Sequence, residues 1–143
     1  MRIHEILHSK GFDVITIAPE ALVIDMLTLL KDNNLGAVVV SDDGRRIRGI
    51  VTERDVVRKL VDGPDFLDAP VSSIMSSDVL TCKPDDSVQS LMTTMTNRRI
   101  RHLPVIENDD VVGIISIGDL VKFQSQEQSF QIKYLTEYIS GGR

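Results

Sequence analysis

The sequence predicts a mixed α/β (α+β) fold made of two tandem repeats with pseudo-twofold symmetry, followed by a C-terminal helix. The first observation is an internal echo. Val14-Ile-Thr-Ile-Ala-Pro19 returns as Val79-Leu-Thr-Cys-Lys-Pro84, and Gly49-Ile-Val-Thr52-Glu-Arg-Asp55 returns as Gly113-Ile-Ile-Ser116-Ile-Gly-Asp119, at offsets of 65 and 64 residues. The second is that each copy reads strand, helix, strand, strand, helix. A unit of this size cannot bury its apolar face alone, so the two copies are expected to pack on each other and form clefts between them.

In the first copy, Asp13–Ile17 alternates like an extended segment, and Pro19 precedes a helix whose stripe is Val23, Leu27 and Leu30. Leu35–Val40 is a short apolar run suited to a buried strand. Ser41-Asp-Asp-Gly44 has turn chemistry, and Ile47–Val51 is the return strand. Thr52 is placed to cap a helix that begins near Glu53 and carries Val56, Val57 and Leu60. The second copy runs in parallel. Val79–Cys82 is expected as its first strand, Val88, Leu91, Met92 and Met95 as the helix stripe, Ile100–Ile106 and Val111–Ser116 as the hairpin, and Asp119–Lys122 as the start of its second helix. A short lead-in precedes each copy, Ile3-His-Glu-Ile-Leu7 matching Val71-Ser-Ser-Ile-Met75. The divisions are repeat one at 1–61, a linker with Gly63, Pro64 and Pro70 at 62–70, repeat two at 71–123, and a tail at 124–143. In the tail, Phe130, Ile132, Leu135, Tyr138 and Ile139 mark a separate amphipathic helix.

Bulk properties narrow the function. The chain has 143 residues, enough for one compact domain, with 42 % hydrophobic residues and only 4 % aromatic, so Val, Ile, Leu and Met must build the core. The net charge of −5 argues against a general nucleic-acid surface. A single cysteine, Cys82, excludes an internal disulfide and suits a reducing compartment. With no signal-like segment and no apolar run of membrane-spanning length, a soluble cytoplasmic protein is expected.

The motif Gly-h-h-[Thr/Ser]-x-x-Asp, where h is apolar, follows a hairpin in both copies, and Arg101-His-Leu-Pro-Val105 fits the second strand. Together with the lead-ins these residues resemble the cystathionine-β-synthase (CBS) domain. The tandem arrangement resembles a CBS pair, or Bateman module, over about residues 1–123. The resemblance implies β-α-β-β-α units paired through their sheets, frequent homodimers, and two clefts that often bind adenosyl compounds: AMP, ADP, ATP, NAD(H) or S-adenosylmethionine. It further implies a stand-alone regulatory module that senses energy or redox state and signals to an unidentified effector. No enzyme activity, catalytic cofactor, metal, nucleic acid or membrane is implied.

Carried over residue by residue, cleft A holds Thr52, Arg54 and Asp55 with Leu80, Ile100, Arg101 and His102. Cleft B holds Ser116 and Asp119 with Ile15, Leu35, Gly36 and Ala37. Asp55 and Asp119 can each accept hydrogen bonds from a ribose diol, while Thr52, Ser116 and the helix starts face phosphate. The same residues also make ordinary helix caps, and the sequence leaves both roles open. Arg54, Arg101 and His102 form a cationic set in cleft A, whereas cleft B has Gly118, Gly36 and Ala37 at the matching places, so cleft A is expected to be the better nucleotide site and cleft B a weaker one or one for a different ligand. Arg98, Arg99 and Arg101 belong either to that set or to an ordinary solvated face.

His4-Glu-Ile-Leu-His8 spells the H-E-x-x-H pattern of zinc proteases. The matching lead-in, Ser72-Ser-Ile-Met-Ser76, keeps the apolar pair and drops both histidines and the glutamate, so packing by Ile6 and Leu7 explains the segment better. Cys82 matches Ile17 and reads as a small core residue, and Met26, Met75, Met92 and Met95 as filler. The competing function is a dimerisation or interaction module that binds no ligand.

Overall fold

A computed structural model describes residues 1–141, and for residues 130, 134 and 137–141 the backbone alone. The elements in order are α1 (Ile3–Lys10), β1 (Thr16–Ile17), α2 (Val23–Asp32), β2 (Ala37–Val40), β3 (Gly49–Thr52), α3 (Glu53–Leu60), α4 (Val88–Arg98), β4 (His102–Glu107), β5 (Asp110–Ser116) and α5 (Ile117–Gly141). Short 3-10 turns at Asp65–Asp68 and Val71–Ser73 occupy the linker and the second lead-in. The two repeats form separate sheets, β1-β2-β3 and β4-β5.

In the first repeat β1 runs parallel to β2, with Thr16 opposite Val39, and β2 runs antiparallel to β3, with Ala37 opposite Thr52. All four residues of β2 are buried, as the continuous apolar run requires. In the second repeat β4 pairs antiparallel with β5 from His102–Ser116 to Glu107–Asp110. Asn108 and Asp109 turn this hairpin with φ of 53° and 67°, the positive pair of a type I′ turn that Asn and Asp tolerate.

The expected strand at Val79–Cys82 is reduced to a single parallel bridge, Cys82 to Val105, held by Cys82 N–H to Pro104 O (2.9 Å) and Ile106 N–H to Cys82 O (2.8 Å). It sits where β1 sits in the first repeat. The residues just before it, Val79 and Leu80, leave the sheet to line a cavity instead. The expected helix capped by Thr52 is α3 and carries Val56, Val57 and Leu60; only Val56 is buried, while Val57 is 63 % exposed and Leu60 also faces out. One further expectation needs correcting. The tail is not a separate helix, since α5 continues unbroken from Ile117 to Gly141. No glycine or proline interrupts residues 119–140, and the Gln, Ser and Glu between the two apolar groups are tolerated in helix. Ile132 and Leu135 are 65 % and 56 % exposed on it. The side chains of Phe130, Tyr138 and Ile139, which completed the expected stripe, lie outside the described residues.

The two repeats are interlocked through their lead-ins. Ile3, Ile6 and Leu7 of α1 belong to the core of the second repeat, with Val88, Leu91, Met95, Leu103, Val105, Ile115 and Leu120. Val71 belongs to the core of the first, with Val23, Met26, Leu30, Val38, Val40 and Val51. Backbone bonds fix this exchange: Ile3 N–H to Asp86 O (3.0 Å) and Val88 N–H to Met1 O (3.0 Å) on one side, Val71 N–H to Ala21 O (2.7 Å) and the Ile50–Ser76 bridge on the other. Fully burying one Leu or Ile contributes about 1.5–3 kcal/mol, so each lead-in is a substantial part of the core it enters.

Candidate functional site

Each repeat ends its hairpin on a reciprocal helix cap. Thr52 Oγ1 accepts from Asp55 N–H at 3.2 Å and Asp55 Oδ2 accepts from Thr52 N–H at 2.9 Å. Ser116 Oγ accepts from Asp119 N–H at 3.0 Å and Asp119 Oδ2 accepts from Ser116 N–H at 2.9 Å. This is a capping box closed by Asp, so both carboxylates have a structural task. Each box employs one oxygen, Oδ2. Asp55 Oδ1 makes no hydrogen bond among the described residues, and Asp55 lines a cavity.

That cavity, of about 480 Å³, lies between the repeats. Its wall contains all seven residues expected for cleft A: Thr52, Arg54 and Asp55 from the end of β3 and α3, Leu80 from the irregular chain before Cys82, and Ile100, Arg101 and His102 at the entry to β4. Glu53, Val57, Arg58, Ser76, Asp78, Val79 and Arg99 line it too and were missed or left undecided. Arg58 was findable, because it stands four residues after Arg54 and so on the same helical face. Arg99 was not. It ends α4 in the left-handed conformation, φ 54° and ψ 40°, and that backbone choice swings it to the cavity while Arg98 stays on the exposed helix end. A non-glycine residue held there costs about 1–2 kcal/mol.

Arg54 and Arg58 come from the first repeat and Arg99 and Arg101 from the second. None of the four pairs with a carboxylate among the described residues, where the ion pairs are Lys10–Asp119 and Arg48–Asp42. Four arginines against three carboxylates, Glu53, Asp55 and Asp78, leave the cavity wall with a net positive charge, which suits an anion. His102 departs from the expected cationic set. Burial, then the charge of Lys10, push its pKa below the ordinary 6.5, against the opposing pull of Glu53 and Asp119, so the ring is largely neutral at pH 7. It offers a hydrogen bond rather than charge.

The residues expected for cleft B are less gathered. Gly36 stands on the wall of the first cavity, where a Cβ would come within 3.3 Å of the His102 ring, because Glu53 N–H bonds to Gly36 O (3.0 Å) and draws the start of the strand toward α3. Ala37 is buried in β2, and Ile15 and Leu35 are half-buried against the first core. Ser116 and Asp119 are together, but Lys10 Nζ donates to Asp119 Oδ2 at 2.6 Å. Burial pushes the Asp119 pKa up, yet the Lys10 and Ser116 hydrogen bonds outweigh it and leave the pKa below the usual carboxylate value.

The remaining motifs take structural roles. Ile6 and Leu7 of the H-E-x-x-H segment are buried, Glu5 accepts from the Arg2 backbone N–H at 3.0 Å, and no group of three potential metal ligands exists among the described residues. Cys82 is buried, and that burial pushes its thiol up to about 12, which leaves no reactive thiolate at neutral pH. No helix among the described residues is long and apolar enough to cross a membrane.

The CBS domain family model matches residues 3–62 and 71–126, one match for each repeat. The chain therefore belongs to the CBS domain family, as two tandem copies. It is 34 % identical over 149 residues to the CBS domain-containing protein CBSX3, mitochondrial, of Arabidopsis thaliana, covering 98 % of this chain and 72 % of that protein. A crystal structure of a CBS-domain-containing protein from Agrobacterium tumefaciens superposes with a TM-score of 0.81 at 39 % identity, covering 85 % of this chain and 91 % of the other. The hexameric CBS-CP12 protein of bloom-forming cyanobacteria matches with a TM-score of 0.74 at 31 % identity, over 85 % of this chain and 69 % of its own.

Proposed function

We propose that this chain is a non-catalytic regulatory module that binds an adenine nucleotide (AMP, ATP or NAD(H)) in cleft A and transmits its occupancy to an effector protein. The observation that carries the reading is the set of four cavity arginines, two from each repeat, without carboxylate partners among the described residues. They suit the phosphates. Leu80, Ile100 and Val79 offer apolar surface to a base, neutral His102 a hydrogen bond, and Asp55 a carboxylate oxygen to a ribose diol. Cleft B, with Gly118 in place of Arg54, is the poorer nucleotide site.

A ligand held by both repeats stabilises their packing. At a hundred times its dissociation constant it adds about 2.7 kcal/mol. Occupancy then changes the angle between modules in a homodimer and so the surface shown to the effector. The lone buried cysteine is compatible with a reducing, cytoplasmic setting. A ligand-free interaction module is the second reading, favoured by the apolar residues exposed on α3 and α5.

The test is a thermal-shift and calorimetry panel with AMP, ADP, ATP, NAD, NADH and S-adenosylmethionine on wild type, Asp55→Ala and Arg101→Ala. Arg101→Ala leaves the α3 cap intact, so it separates lost contacts from lost stability. We expect a shift with one adenosyl ligand, weakened tenfold or more in both variants. Absence of any shift favours the interaction module.

A further inference from the structure

The two lead-ins match in sequence and diverge in conformation. The second leaves helical geometry after Ser73, and its continuation bridges β3 through Ser76 and Ile50, so that Asp78 comes to line the open cavity. The first stays helical through Lys10, until Gly11 ends α1 with φ 107° and an N–H bond to Leu7 O at 2.7 Å. In the register that pairs Ile3 with Val71, Lys10 is the counterpart of Asp78. The longer helix therefore delivers a cation to one cleft where the other receives an anion.

Lys10 Nζ is anchored at two points. It donates to Asp119 Oδ2 at 2.6 Å and to Ile114 O in β5 at 2.7 Å. Both Lys10 and the Ser116 N–H bond Asp119 Oδ2, and Oδ1 makes no hydrogen bond among the described residues, as in Asp55; the difference is the ammonium ion that the Asp119 carboxylate carries and Asp55 lacks. Its charge also reaches the wall of the first cavity, where it helps depress the His102 pKa.

We propose that Lys10 is a built-in occupant of cleft B: its ammonium sits against the carboxylate that matches Asp55, cancels the charge a ribose diol would bond, and limits the chain to one nucleotide, bound in cleft A. The count of one rests on the adenine-nucleotide reading of cleft A; the closure of cleft B does not. Lys10 is thus the residue that sets which of two related clefts accepts a ribose-bearing ligand.

The experiment counts sites by calorimetry on the full chain, with AMP and with adenosine as probes, adenosine because cleft B lacks the arginines. Wild type, Lys10→Ala and Lys10→Ala/Asp119→Ala are compared. Exposed ion pairs contribute little to stability, so Lys10→Ala is expected to fold, and a melting curve checks it. We expect one site in wild type, one more in Lys10→Ala for at least one probe, and loss of that added site in the double variant. An added site over a wild type that binds nothing would uphold the lock while removing the reading of cleft A. Two sites already in wild type, no added site in Lys10→Ala, or an added site indifferent to Asp119 would each overturn the proposal.

Discussion

Gly49 and Gly113 occupy matching positions in β3 and β5, and each lies under a lead-in. A Cβ on Gly113 would meet Leu7 Cδ2 at 2.5 Å, and one on Gly49 would meet Met75 Sδ at 2.7 Å and Ser76 O at 2.8 Å. Neither glycine has positive φ, so close approach alone demands the missing side chain. The end of a leucine side chain can turn aside, but the Ser76 carbonyl is held by its bridge to Ile50. Gly49→Ala is therefore expected to cost about 1–3 kcal/mol in urea unfolding and Gly113→Ala less. The reverse order would mean that the Leu7 contact is the stiffer one. His102 gives the molecule a pH dependence of known sign. Its folded pKa lies below the unfolded 6.5, chiefly through burial, so the unfolded chain binds the proton more readily. The contribution is fully present above pH 6.5 and is lost as pH falls toward the folded value. Stability measured between pH 7 and 5 should fall in wild type and fall less in His102→Gln; parallel slopes would assign the dependence to other groups.

At the scale of elements, legibility in the sequence followed how local the cause was. The Thr52 and Ser116 caps, the Asn108-Asp109 turn and the buried run of β2 are set by adjacent residues, and each stands where the pattern puts it. The Val79–Cys82 segment keeps one bridge, at Cys82, where its counterpart pairs at both Thr16 and Ile17, and its Val79 and Leu80 line the cavity, which no local pattern announces. The helical periodicity of Val56, Val57 and Leu60 is genuine, but periodicity cannot say how much of a helix face its sheet covers. Seven residues of the cavity wall were legible because the resemblance to the CBS domain carried them over. Arg99 depended on a left-handed backbone, and the neutrality of His102 on burial and on Lys10, which is distant in sequence.

At the scale of the molecule, the exposed apolar residues are the surface on which the proposed self-association can be tested. Val57 on α3, Val61 just after it, Val121 near the start of α5, and Ile132 and Leu135 further along it are all exposed in the single chain. The homodimer proposed above would cover part of this surface, and a related CBS protein is itself hexameric. A chain ending at residue 123 should therefore show fewer chains per particle than the full chain in light scattering at the same concentration. An unchanged number of chains would leave the extension of α5 without a role in assembly.

The crossed lead-ins carry a consequence for how such a molecule can come apart. Each repeat, cut at the linker, would take with it a segment shaped for the other's core and leave its own core open at Leu7's place or Val71's. Two identical half-chains could close that gap only by exchanging arms. The tandem chain makes the exchange internal, and the two arms, no longer bound to be alike, are free to end differently: one in the lysine that fills a cleft, the other in the aspartate that borders an open one.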